Sequence, residues 1–133
     1  MKLTTKSEYS LLALVYLARH QGEGYVKIEN ICNEYDISKK YLEQIFLSLK
    51  QTRYLKTKTG TNGGYRLARA AEEISLAEII RLMDGALAPS SAVSRYFYEK
   101  TPLEKEKKIM KVFKEIRDYI ARKVENLTIA DLV

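Results

Sequence analysis

Residues 37–66 read ISKKYLEQIFLSLKQTRYLKTKTGTNGGYR: a capped helix, a short extended run, a glycine turn and a second extended run. Ser38 stands where an N-cap is wanted. Tyr41, Leu42, Ile45, Phe46 and Leu49 follow at the spacing of one helix face. From Tyr54 to Thr59, Leu55, Thr57 and Thr59 alternate with Lys56 and Lys58, the period of a strand. Gly60-Thr61-Asn62-Gly63-Gly64 supplies a turn that tolerates positive φ, and Tyr65-Arg66-Leu67 returns as a second strand. Just upstream, Ile28, Ile31, Cys32 and Tyr35 fall at i, i+3, i+4 and i+7, so a second helix spans Lys27 to Tyr35. Only Asp36-Ile37-Ser38 separates the two helices. So tight a turn is the signature of a helix-turn-helix, and the hairpin behind it is the wing of a winged helix.

The quoted segment also holds the whole excess charge of the chain. Lys39, Lys40, Lys50, Arg53, Lys56, Lys58 and Arg66 face one acid, Glu43, and the chain's net charge is +6. Basic and acidic groups elsewhere cancel. A neutral body with one basic segment suits a protein that sets that segment against a polyanion. A solvated face accounts for any single lysine. The ensemble is less easily dismissed, because it occupies the two elements that a winged helix presents to DNA.

Outward toward the N-terminus, Thr5-Lys6-Ser7-Glu8 has capping-box spacing. Tyr9, Leu11, Leu12, Ala13, Val15, Tyr16 and Leu17 then suit a largely buried helix ending near Gly22. Toward the C-terminus, Ser75-Leu76-Ala77-Glu78 is a second capping box and opens a helix to about Met83. Gly85 to Lys100 is poorly patterned. Thr101-Pro102-Leu103-Glu104 predicts the start of a long helix running to about Asn126. Its apolar residues are Ile109, Val112, Phe113, Ile116, Tyr119, Ile120, Val124 and Leu127, a stripe wider than a strict two-position seam. Such a stripe either packs entirely on its own domain or serves a second subunit as well. A helix of that length outreaches a small body, which favours dimerisation. Thr128 is placed to cap a last turn. The expected class is mainly α: a winged helix-turn-helix over 1–84, then a loop and dimerisation helix over 85–133 in the same compact unit.

At 133 residues, 46% hydrophobic and 30% charged, the composition is that of an ordinary globular protein. No apolar stretch approaches the length that spans a bilayer, and MKLTTKSEYS lacks a signal-peptide core, so no membrane partner and a cytoplasmic location are expected. One cysteine, Cys32, and one histidine, His20, leave little for a metal site or a hydrolytic triad. No catalytic set is visible, and neither an enzyme nor a cofactor is expected.

A helix about 10–12 Å across fits the major groove of B-DNA. Ser38, Lys39 and Lys40 lie at the N-terminus of the third helix, where free N–H groups and the dipole favour phosphate. Glu43 has the chemistry to accept from cytosine, and Gln44 to pair with adenine. Tyr41 falls on the apolar side by spacing. Lys56, Lys58 and Arg66 on the wing suit flanking phosphates or a minor groove. Cys32 reads as a buried small hydrophobe, with redox sensing as the sharper alternative. The Tyr96-Phe97-Tyr98 patch reads as core, interface or effector contact.

MKLTTKSEYSLLALVYLA, ISKKYLEQIFLSLKQTRYLK, GTNGGYRLA, EISLAEIIRLMDG and the final LTIADL together resemble the Rrf-type (IscR/NsrR/CymR-like) winged-helix transcription regulators, in order along nearly the whole chain. The resemblance implies a homodimeric DNA-binding repressor or activator, of which the repressor is the expectation, with its long helix crossing to the partner subunit. It implies DNA contacts from Thr4, Lys6, Ser38, Lys39, Lys40, Tyr41, Glu43, Gln44, Lys50, Arg53, Lys58, Thr59, Gly63, Gly64, Tyr65 and Arg66, with Glu43 and Gln44 facing bases and the wing tip in a minor groove. Two departures stand out. Thr59 occupies a wing position where the family often has arginine. Cluster-binding members carry three cysteines before the long helix, whereas Ala86 to Glu106 has none, so the family's usual iron–sulfur cluster is not expected. The alternatives are a regulator acting mainly through a protein partner, and a small-molecule or redox sensor using loop 86–100 or Cys32.

Overall fold

The computed structural model describes all 133 residues. Five helices and one hairpin make it up: α1 (Thr5–Arg19), α2 (Ile28–Tyr35), α3 (Lys39–Gln51), β1 (Leu55–Lys58), β2 (Gly64–Leu67), α4 (Leu76–Asp84) and α5 (Lys107–Glu125). The class is mainly α with a two-stranded antiparallel wing, as the sequence predicts. The strands pair Leu55 with Leu67 at the base and Lys58 with Gly64 at the tip.

Helix α1 begins one residue earlier than its capping-box spacing predicts. Thr4, not Thr5, is the N-cap, and its hydroxyl accepts from the Ser7 N–H. Asp84, at the end of α4, accepts from both the N–H and the hydroxyl of Thr4. That tether selects Thr4 over Thr5. The buried face of α1 is Ser7, Ser10, Ala13, Leu14 and Leu17, while Leu12 is exposed, contrary to the expectation for the apolar run. Ser10 tolerates burial because its hydroxyl donates to the Lys6 carbonyl.

One main core joins α1, α2 and α3 with the base of the wing and the chain's last turn. Leu14, Leu42, Phe46, Leu49 and Ile129 are fully buried in it. Ile129 reaches it because Leu76 N–H donates to the Leu127 carbonyl and Ile129 N–H to the Ile74 carbonyl. Thr128 and Asp131 cap each other reciprocally and close that turn. A smaller core sets Ala77, Ile80 and Leu87 against Ile120 and Val124 of α5.

The C-terminal helix is shorter than predicted. Thr101 caps only a 3-10 turn, Pro102–Lys105, by accepting from the Leu103 N–H. Glu106 is extended (φ −114°, ψ 93°), so the α-helix starts afresh at Lys107. Its 19 residues span about 28 Å. A proline at N1 suits a 3-10 turn as well as an α-helix, so local signals could not separate the two.

Glu78 ties the wing base to α4. Its carboxylate accepts from the Tyr54 hydroxyl at 2.6 Å, the Ser75 N–H at 2.8 Å, the Ser75 hydroxyl at 3.1 Å and Arg69 Nη1 at 3.0 Å. Partial burial pushes this carboxyl up, but those donors outweigh it and hold it below its ordinary value of 4.5. A depressed carboxylate contributes stability that is present above its unfolded value and lost as pH falls through the folded one. Glu78→Gln should therefore lower stability near neutrality and lose less of it on acidification from about pH 5 to pH 3. Urea melts across that range will check this, and parallel curves for the two proteins would contradict it.

Candidate nucleic-acid interface

Burial of Leu42, Ile45, Phe46 and Leu49 turns the opposite side of α3 outward. Lys39, Lys40, Glu43, Gln44, Leu47 and Lys50 are exposed there. The Ser38 hydroxyl accepts from the Tyr41 N–H, and the first turn of α3 holds no acid. The helix start thus presents two lysines, its remaining free N–H groups and the positive dipole end, which together favour an anion. Tyr41 is neither core nor free: its ring meets Tyr9 edge to face at 5.6 Å, at the rim of the face. Thr4 and Lys6 are exposed at the start of α1.

Helix α3 closes with a Schellman motif. Tyr54 N–H donates to the Leu49 carbonyl at 2.8 Å and Arg53 N–H to the Lys50 carbonyl at 3.0 Å. The αL position carries Arg53 (φ 66°), where glycine is usual. An arginine accepts backbone strain there and stands exposed between the helix and the wing.

The wing is held by the segment before α2. Val26 and Tyr65 exchange two backbone hydrogen bonds of 2.8 Å, which extend the hairpin by a third, one-residue strand. The approach is so close that a Cβ on Gly64 would lie 2.4 Å from the Val26 carbonyl oxygen. Gly63 is buried in the turn, where a Cβ would lie 2.0 Å from the Lys58 carbonyl oxygen. Both glycines are thus required by close packing. The Tyr65 ring packs on Phe46 of α3 at 4.7 Å, so helix and wing share one ring contact. Lys56, Lys58 and Thr59 are exposed, and Arg66 is half-buried.

Several partners escape a reading of the sequence. Lys39 is not free: its ammonium sits 2.8 Å from Glu29 of α2 and 3.9 Å from Glu43. The hydrogen bond to Glu29 raises the Lys39 pKa and lowers that of Glu29. Tyr25 lies beside Lys58 and Arg66, 6.0 and 5.5 Å from its ring centroid. Lys27 Nζ donates to the Gly60 carbonyl at the wing tip. Only Lys39–Glu43 follows a spacing rule, the i, i+4 pair of one helix; no such rule links the other partners, which lie far apart in the chain.

The effector candidates fall elsewhere. Tyr96 (70% exposed), Phe97 and Tyr98 stand out on the surface, not in a core. Arg81 stacks on the Tyr96 ring at 5.1 Å. The cleft bounded by Arg81, Leu87, Tyr96, Phe97 and Arg117 encloses about 10 Å³, room for one water at most. Cys32 is buried beneath the helix-turn-helix, and that burial raises its thiol pKa, the reverse of what a reactive thiol needs.

On α5 the predicted stripe divides. Ile120 and Val124 pack on the small core, Phe113 is half-buried, and Leu127, half-buried too, lies beyond the helix end at Glu125. Ile109, Val112, Ile116 and Tyr119 remain exposed, Val112 at 52% and Tyr119 at 64%.

Comparison with known proteins agrees with this geometry. The model of the Rrf2 family, described as an iron-dependent transcriptional regulator, matches residues 3–133. The HTH-type transcriptional regulator CymR of Bacillus subtilis is 30% identical over 132 residues, 99% of this chain and 89% of its own length. The HTH-type transcriptional regulator IscR of Cereibacter sphaeroides is 41% identical over 86 residues, 63% of this chain and 56% of its own. The solved structure of CymR, the global cysteine regulator of B. subtilis, superposes with a TM-score of 0.80 at 28% identity, covering 99% of this chain and 95% of that one.

The family's description names iron. Cluster iron takes thiolates and occasionally imidazole. The one cysteine lies in the main core, the one histidine caps α1 against Glu23, and no three His, Cys, Asp or Glu side chains converge. These residues do not fit a cluster held by one chain. Protein purified without oxygen should show no visible charge-transfer absorption and no stoichiometric iron; finding both would overturn this.

Proposed function

The chain belongs to the Rrf2 family and is a DNA-binding transcriptional regulator; from that premise we propose that it is a homodimeric repressor that reads a palindromic operator without an iron–sulfur cluster. The observation that carries the DNA-reading part is the outward side of α3, where Glu43 and Gln44 stand between the cationic helix start and the wing. In this reading Lys39, Lys40, Lys50, Arg53, Lys58 and Arg66 supply affinity through phosphates, and Glu43 and Gln44 supply sequence preference through base edges. Thr4, Lys6, Ser38, Tyr41 and Tyr65 flank that face, and Thr59, Gly63 and Gly64 form the part of the wing that approaches a minor groove.

Lys39 must leave Glu29 to reach a phosphate. An exposed pair of this kind is worth little in water, so the exchange is cheap. Lys39→Ala should weaken binding to all duplexes and lower the slope of log K against log salt by about 1. Glu43→Ala and Gln44→Ala should instead change which bases are preferred. Selection of an operator from random DNA, followed by binding isotherms at several salt concentrations, separates these outcomes. Equal, sequence-independent losses for all three variants would refute the assigned roles. Recovery of no motif would favour action through a protein partner.

The dimer part rests on Ile109, Val112, Ile116 and Tyr119, a row of large apolar side chains left in water along one side of α5. A second copy of the same helix is complementary to such a row by two-fold symmetry. It would place two α3 helices on half-sites about 34 Å apart, or a multiple of that. Sedimentation should give a dimer at micromolar concentration, and Ile116→Asp should give a folded monomer. A monomeric parent protein would refute the assembly.

A further inference from the structure

The wing is a short hairpin, and two strands alone hold their shape poorly in water. Its bracing is therefore of functional interest. Three consecutive residues ahead of α2 touch it. Val26 pairs with Tyr65 through two backbone hydrogen bonds of 2.8 Å. Lys27 Nζ donates to the Gly60 carbonyl at 3.1 Å. Tyr25 lies against two cations from opposite strands, Lys58 of β1 and Arg66 of β2. These two are not directly paired across the ladder, since Lys58 faces Gly64 and Arg66 faces Lys56.

We propose that Tyr25 is a positioning residue for DNA binding: its ring gathers the Lys58 and Arg66 side chains into one preset cationic unit on the wing. The inference rests on the DNA-binding reading above and deepens it. Two cations on neighbouring strands repel each other, and each has several rotatable bonds to spread by. An aromatic face attracts both, at centroid distances of 5.5 and 6.0 Å, the second at the outer limit of the interaction. Restricting both side chains before DNA arrives reduces the entropy lost when they meet phosphates. No carboxylate lies in hydrogen-bonding or ion-pair contact with either cation, so the Tyr25 ring is the partner they share. Thr59 carries no charge, so Lys58 and Arg66 are the cations nearest the wing tip on either strand. The α1–α2 connection thereby becomes part of the binding apparatus without contacting a base.

The experiment uses the full chain, a fluorescently labelled duplex of mixed sequence at low salt, and two backgrounds, the parent and a chain carrying Lys58→Gln and Arg66→Gln. Tyr25→Leu should weaken binding roughly three- to tenfold, the range expected when one rotamer-rich side chain must be ordered on binding instead of beforehand. Tyr25→Phe keeps the ring and should bind within about twofold of the parent. In a chain already carrying Lys58→Gln and Arg66→Gln, Tyr25→Leu should have no further effect, because there is nothing left to position. A loss that persists undiminished in that background, or a Phe variant as weak as the Leu variant, would overturn the proposal. A spectroscopic arm needs no DNA. The Lys58 ε and Arg66 δ methylene protons should be shifted upfield by the ring in the parent and relax to ordinary values in Tyr25→Leu. Unshifted protons in the parent would equally overturn it. If the parent bound no duplex, the DNA-binding reading would fail, while the proton shifts would still decide whether the ring holds the cations.

Discussion

Four side chains of α3, Leu42, Ile45, Phe46 and Leu49, are withdrawn from water almost completely. Each such burial is worth about 1.5–3 kcal/mol, far more than any exposed ion pair in the molecule. The rotation of α3 about its own axis is therefore not negotiable. Everything on its other side follows from that rotation, including the outward turn of Lys39, Lys40, Glu43 and Gln44. The charged face is a by-product of the apolar one, and it persists through changes of salt that would scatter a face held by charges alone.

Phe46 extends this constraint to the wing. Its ring meets Tyr65, and Tyr65 in turn exchanges backbone hydrogen bonds with Val26. Helix, hairpin and α1–α2 connection are thus one mechanical unit. Glycine at position 64 is the condition for that unit to close, because the Val26 carbonyl occupies the space a Cβ would need. The Glu78 cluster performs a comparable task at the other end of the hairpin, where Tyr54 and Arg69 meet the capping box of α4.

The features readable without coordinates share one property: they are encoded within a few residues. Caps at Ser38 and Ser75, helical spacing in α2 and α3, the glycine turn and the clustered charge all belong to that kind, and the structure contains each of them. Local signals favour Thr5 over Thr4 as the cap of α1, because Glu8 stands three residues after Thr5. Asp84, eighty positions away, decides between them. The same holds for Thr101-Pro102, which starts a helix of one type or the other. Only the extended backbone at Glu106 reveals that the α-helix begins later.

The sequence by itself determined the winged helix-turn-helix, the location of its positive charge and the presence of a single cysteine and a single histidine, because periodicity, capping chemistry and residue type are local quantities. The tertiary structure alone decided who meets whom. It joined Lys39 to Glu29, set Tyr25 beside Lys58 and Arg66, buried Ile129 in the first core and divided the α5 stripe into a covered and an open side. Those pairings join segments that are distant in the chain, and no short-range pattern in a chain specifies which of many compatible partners packing will bring within a few ångströms.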